Sequence, residues 1–153
     1  MALPNIFNKD VAEGVISRIQ QLTGASQPKW GKMSVAQMLA HCCVTYEYIY
    51  EPEKYKRPKG MLKLMLRMLV KSVVVSERPY KPSNPTAPDF RITDERDFNK
   101  EQSRLIAFIR RVQADGESAF ANRESHSFGR LSVTEWNNMF YKHLDHHLRQ
   151  FGV

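Results

Sequence analysis

Four prolines fall between positions 79 and 88, within the stretch RPYKPSNPTAPDF. A proline ring fixes φ and removes a backbone donor, so neither a helix nor an inner strand can pass through such a stretch. Regular structure must therefore lie on either side of it, and both sides read as helix. A first helix is predicted from about Asn8 to Leu22, where Ala12, Val15, Ile16, Ile19 and Leu22 recur at helical spacing and Thr23-Gly24 supplies a stop. A second opens at Ser34 with SVAQ, a capping box in which Ser34 accepts from the third residue on and Gln37 reaches back. Met38, Leu39, Cys42, Thr45, Tyr46 and Ile49 mark its buried face, and Pro52 ends it.

Beyond the prolines a third helix is predicted from about Asp94 to Ala114, with Phe98, Leu105, Ile109 and Val112 on one face and Gly116 as its stop. A fourth opens at Ser132 with a second capping box, SVTE, and carries Trp136, Phe140, Leu144, Leu148 and Phe151 as its apolar stripe. The expected fold is an all-α four-helix bundle. Its second and third helices are joined by a long irregular crossover, residues 51–94, that contains one short helix, MLKLMLRMLVKSVVV. Such a crossover does not promise simple up-and-down topology. SVVV is the one strand candidate, and it is short. The 153 residues suit a single domain, 1–153, with one core.

The net charge of +7 is mostly local. Residues 51–82 hold nine Lys and Arg against three Glu. Neither a helix-turn-helix nor basic-aromatic interleaving accompanies this cluster, so nucleic-acid binding is not expected. No run of ~18 uncharged apolar residues predicts a membrane span. The N-terminal MALPNIFNKD lacks the charged flank and apolar run of a signal peptide. The two cysteines, Cys42 and Cys43, are adjacent and offer no disulfide framework. A reducing cytoplasm is the expected location.

Three of the five histidines lie in the fourth helix. At 100° per residue, and with Phe140 as reference, Trp136 lies at about 320°, His143 at about 300°, His147 at about 340° and Phe151 at about 20°. His143 and His147 therefore sit inside the apolar stripe, one turn apart, where two rings can meet one ion. His146, at about 240°, lies off its edge, facing solvent or a subunit partner, and Asp145, at about 140°, faces away. On the second helix His41 borders the apolar face. If the second and fourth helices run parallel with caps aligned, His41 stands a turn or more off level, a mismatch that an offset or tilt removes. One ion could then see His41, His143 and His147. Neutral imidazoles suit Zn, Ni or Fe(II), and three protein ligands leave a position for water or substrate. The competing reading is a set of satisfied core histidines. Leu144 follows His143, so the HExxH pattern of a zincin protease is absent.

The segments WGKMSVAQMLAH and FGRLSVTEWNNMFYKHLDHHLRQFGV resemble the DinB/YfiT-like superfamily of metal-dependent proteins. They resemble in particular a little-characterised branch whose members end in a similar KHLDHHLRQFG. The resemblance spans nearly the whole chain, strongest at both ends and weak across residues 51–94. It implies a four-helix bundle with an unusual connection order. It also implies a three-histidine metal site with one ligand from the second helix and an HxxxH pair from the fourth, which here are His41, His143 and His147. Relatives in that superfamily include metal-dependent thiol S-transferases, a mycothiol-dependent isomerase and enzymes that build sulfur-containing histidine derivatives.

Other residues carry weaker signals. His126 could approach the open end of the site as a proton shuttle or outer-shell group, or serve its own loop. Glu47, Glu135 and Asp115 are the carboxylates considered for holding a ligand N–H. Arg130 could bind an acidic substrate group or simply be exposed. Cys42 reads as a small buried hydrophobe rather than a ligand. Lys63, Arg67 and Lys71 form a basic stripe on the short helix. It is read as the strip left exposed when that helix is buried by its own bundle or by a partner in a homodimer. The membrane-surface alternative stays open.

Two functions follow. One is a metal-dependent enzyme, a thiol S-transferase-like transferase or a hydrolase. It would hold a divalent ion, zinc first and nickel, iron or manganese next, and act on a small-molecule substrate such as a low-molecular-weight thiol. The other is a non-catalytic bundle that binds a metal or a small molecule.

Overall fold

The computed structural model describes residues 2–153, and among them the chain is helical apart from one tiny hairpin. The elements are α1 (Lys9–Gln20), α2 (Val35–Tyr50), α3 (residues 60–75), α4 (Phe98–Phe120) and α5 (Val133–Gln150). Strands β1 (Glu124–Ser125) and β2 (Gly129–Arg130) pair antiparallel just before α5. Both capping boxes form as the sequence predicts. Ser34 accepts from Gln37 N, Ser132 accepts from Glu135 N, and each third residue returns the bond. Asp97 caps α4 at Lys100 N, 2.7 Å away. Gly116, at φ 70°, breaks α4 where the sequence places a stop. One further turn follows and delivers Phe120 to the core.

Helix directions follow from who touches whom. Along α1 and α4 the pairs Ile19–Gln102, Glu13–Arg110 and Asn5–Glu117 run in opposite senses. Along α2 and α4 the pairs Tyr46–Phe108 and Tyr50–Asp115 run in the same sense. Along α2 and α5 the pairs Tyr46–Phe140, Thr45–His143 and His41–His147 run in opposite senses. Along α1 and α5 the pairs Ile6–Asn137 and Arg18–Asp145 run in the same sense. The four long helices are thus up, down, down, up. Helices α2 and α5 are antiparallel, not parallel as one reading of their caps would have it. This removes the level mismatch: His41 near the start of α2 stands opposite His143 near the end of α5.

The core is aromatic where the four helices meet. Tyr46 stacks between Phe108 and Phe140, while Phe7, Phe120 and Trp136 close around Phe140. A second buried feature is ionic. Arg104 of α4 bridges Glu47 of α2 and its own Glu101, and the Tyr55 hydroxyl also donates to Glu47. Burial pushes the Glu47 carboxyl up, but the bonds from Tyr55 and Arg104 hold it below the usual carboxylate range. Helix pairing and crossover are pinned together at this point, since Tyr55 lies just past α2.

Helix α3 contains a wide π turn at Leu66–Val70. The valines of SVVV close this helix instead of forming a strand. Two side chains of α5, one turn apart, hold its end. Asn138 Nδ2 donates to Val75 O at 2.9 Å, and Lys142 Nζ donates to Val73 O at 2.7 Å and Ser76 O at 2.5 Å. These carbonyls have no partner inside the helix, so a buried lysine is a fitting cap. The basic stripe also departs from expectation. Lys63 pairs with Glu124 and Lys71 with Glu135, so the stripe faces the protein body and the apolar side faces out.

Replacing Lys142 with Met should leave the four long helices in place and loosen α3. Losing two bonds of roughly 1 kcal/mol each should speed amide exchange across residues 60–75 by ~10-fold or more. Exchange mass spectrometry reads this directly.

Candidate metal centre

The antiparallel pairing of α2 and α5 brings three histidine rings into one cluster. One ring nitrogen from each of His41, His143 and His147 lies within 4.8 Å of the others. His41 and His147 are buried, and His143 is partly exposed at the cavity wall. His41 Nε2 and His143 Nε2 are 2.9 Å apart. Ring centroids stand 4.5 Å apart for His41–His147 and 4.8 Å apart for His143–His147.

Each ring is oriented from behind through Nδ1. His41 Nδ1 lies 2.8 Å from Phe90 O, and a carbonyl only accepts, so the proton is on Nδ1 and the Nε2 lone pair is free. Gln150 Nε2 donates to Trp30 O at 2.7 Å, which fixes the amide and turns Oε1 to His147 Nδ1 at 2.8 Å. His147 therefore also carries its proton on Nδ1. Thr45 Oγ1 lies 3.1 Å from His143 Nδ1. A hydroxyl both donates and accepts, so His143 is the one ring of the three free to exchange tautomers. With His143 protonated on Nε2, a chain of hydrogen bonds runs from Thr45 through His143 and His41 to Phe90 O. With its proton on Nδ1, all three Nε2 lone pairs are free.

Electrostatics keep the rings neutral. Burial lowers the His41 pKa. Burial, and then the rings of His147 and His41, push His143 well below its ordinary value. Burial and the neighbouring His41 bring His147 down to about 3. Three neutral imidazoles with their second nitrogens held by hydrogen-bond acceptors are a donor set that fits a divalent ion. The carboxylates considered for that holding role are committed elsewhere. Glu47 serves Arg104 and Tyr55, Glu135 caps α5 and pairs with Lys71, and Asp115 accepts from the Tyr50 hydroxyl. Their place is taken by Thr45, Gln150 and the Phe90 carbonyl. Spacing could have shown Gln150, three residues after His147, whereas Thr45 reaches His143 only through the pairing of α2 with α5. Nothing in the sequence marks the third.

The cluster opens on a cavity of about 850 Å³, bounded by α2, α3, α5, the proline-rich segment and the hairpin. Its walls are mostly apolar, with Lys32, Lys56 and Arg91 among the lining residues. His146 is drawn into this site, contrary to its helical phase. It is partly buried, packs on Trp30 and Tyr80, and lines the same cavity. His126 also lines it, stacked on Tyr48 at 3.8 Å, with Nδ1 bonded to Ser127 and Nε2 buried without a partner. Phe90 stands between Tyr48 and the His41–His143 pair, so His126 reaches the cavity and not the cluster. Burial and Arg57 lower its pKa. Cys42 and Cys43 are free and buried among core side chains. Burial raises both thiols, Cys43 to about 12, which keeps them protonated and unreactive. Arg130 is exposed on β2. Asp145 pairs with Arg18 at 2.9 Å.

The family model described as "Protein of unknown function (DUF1569)" matches residues 8–152, and the chain belongs to that family. No curated protein and no solved structure matches it.

The depressed histidines make stability depend on pH with a definite sign. Free histidine titrates near 6.5, and His147 in the fold near 3. Between these values the unfolded chain binds the extra proton, so stability is full above about pH 6.5 and falls as pH drops toward 3. Metal-free protein should lose up to about 1.4 kcal/mol per pH unit for each such group, and His147→Gln should flatten the slope. Urea unfolding at pH 7.5 and pH 5 checks this.

Gly31 tests the support behind His147. Its φ is +82°, and a Cβ there would come 2.8 Å from Gln150 Nε2. Gly31→Ala should displace Gln150 and release His147 Nδ1–H. The exchange-protected imidazole proton of His147 should then disappear from the proton NMR spectrum while the helical circular dichroism persists.

Proposed function

We propose that the chain is a metal-dependent enzyme of the transferase or hydrolase kind, resembling the DinB/YfiT-like thiol S-transferases. The observation that carries this reading is the convergence of three neutral imidazoles on one point at the wall of a large apolar cavity. His41, His143 and His147 would hold a divalent ion through Nε2. Zinc suits three neutral nitrogen donors best, with nickel, iron or manganese as alternatives. When bound, such an ion supplies a Lewis acid and lowers the pKa of a water or thiol beside it.

The remaining work falls to the chain's own residues. Phe90 O and Gln150 fix two rings in the ligating tautomer. Thr45, whose hydroxyl accepts as well as donates, can support His143 with its proton on Nδ1 and its Nε2 lone pair free. The apolar walls exclude water from a bound substrate, and Lys32, Lys56 and Arg91 favour a substrate with an anionic group. His126, with a buried unpartnered Nε2, is the outer-shell group assigned to hold or move a proton at the cavity wall. A small thiol fits the volume and the ion class. The non-catalytic alternative expects a fourth protein ligand or no accessible pocket; among the described residues the cluster has three such ligands and opens on the cavity.

Elemental analysis of protein purified without a histidine tag should find about one divalent ion per chain. His143→Ala and His147→Ala should each lose it while keeping helical circular dichroism. Equal metal content in the parent and both variants would sink the proposal.

A further inference from the structure

Helix α3 is built inside out. Its cations Lys63 and Lys71 turn inward to Glu124 and Glu135, and the Arg67 guanidinium lies beside Gly129. Its large apolar side chains turn outward: Met61 is 73% exposed, Met68 70% and Leu69 66%, with Leu62, Leu64 and Met65 near half. Among the described residues, every strongly exposed large hydrophobic side chain belongs to this one helix. Contiguous apolar surface of this kind marks an interaction site.

Charge selects the occupant. Lys56, Arg57 and Lys59 precede the helix and Arg78 and Lys81 follow it, all exposed. Lys63, Arg67 and Lys71 turn inward and Lys54 pairs with Glu51, so the five exposed cations set the charge of the rim. A second copy of the chain docked here would press two strongly cationic segments together. An anionic lipid surface complements them. An apolar helix face flanked by basic residues is also the pattern of an interfacial helix. No helix among the described residues is long and apolar enough to cross a membrane, so the contact is peripheral.

We propose that the outer face of α3 docks on an anionic bilayer. Met61, Met68 and Leu69 enter the headgroup–acyl boundary, and the flanking lysines and arginines meet lipid phosphates. The same helix lines the cavity through Leu66 and Val74, so docking sets the cavity wall against the lipid boundary. The proposal rests on the surface of α3 and is independent of the metal reading.

Vesicle sedimentation tests it. The protein should pellet with vesicles containing about 30% phosphatidylserine, pellet poorly with phosphatidylcholine alone, and bind less as salt rises. The triple variant Met61→Gln, Met68→Gln, Leu69→Gln should reduce binding ~10-fold or more with unchanged circular dichroism. Anionic vesicles that fail to pellet the protein, or a triple variant that binds as well as the parent, would overturn it. A concentration-dependent dimer in light scattering, abolished by the triple variant and unaffected by vesicles, would overturn it in favour of a second copy.

Discussion

Two helices of the bundle, α2 and α4, separated in the chain by the crossover, lie side by side and point the same way, and the rest of the structure answers to that constraint. A helix of 16 residues carries the chain about 24 Å from where the next must begin. The polypeptide has to travel back along the bundle before α4 can start. Residues 51–97 make that journey, and their path is the roof of the cavity. The return delivers the Phe90 carbonyl to His41, lays α3 across the opening and brings Tyr55 back against Glu47. The prolines suit this route because they hold an extended chain that needs no ladder partners. What reads as irregular filler between two helical halves is the segment that turns a bundle into a container.

Much of the candidate site was legible in the sequence, and the limits were physical. Helical phase separates His143 and His147 from their neighbours because a period of 3.6 is a strong local signal. Capping boxes mark where α2 and α5 start, since the bonds involved span only three residues. A cap says nothing about which way a neighbouring helix runs, and aligning the two caps placed His41 at the wrong level. Direction is a long-range property, fixed here by ladders such as Tyr46–Phe140 and Thr45–His143. The groups that orient the rings are not the carboxylates that usually back a ligating imidazole; the fold uses a hydroxyl, an amide and a main-chain oxygen. The last of these has no residue type to recognise.

Helix α3 shows the same limit in another form. Its period separates a charged side from an apolar side, but period alone does not say which side meets the body. Burying the apolar face is the usual outcome. Here Glu124, Glu135, Asn138 and Lys142 supply enough polar partners to hold the helix by its charged face and its C-terminal carbonyls. His146 departs from its helical phase for a related reason. Phase put it at the edge of the stripe, and the ring was claimed by Trp30 and Tyr80 from loops whose course the sequence does not specify.

The π turn at Leu66–Val70 also fixes the length of α3. A wide turn holds one residue more than a regular one, and that residue sets the angular phase between the two ends of the helix. Lys63, before the turn, must find Glu124, while Lys71 and Val75, after it, must find Glu135 and the core. Both halves are docked, so the surplus residue cannot relax out of the helix. Deleting a single position would regularise the backbone while twisting one end about 100° away from its partners. The irregularity is therefore a gauge, and chains that share this roof would keep its residue count even where they change its side chains.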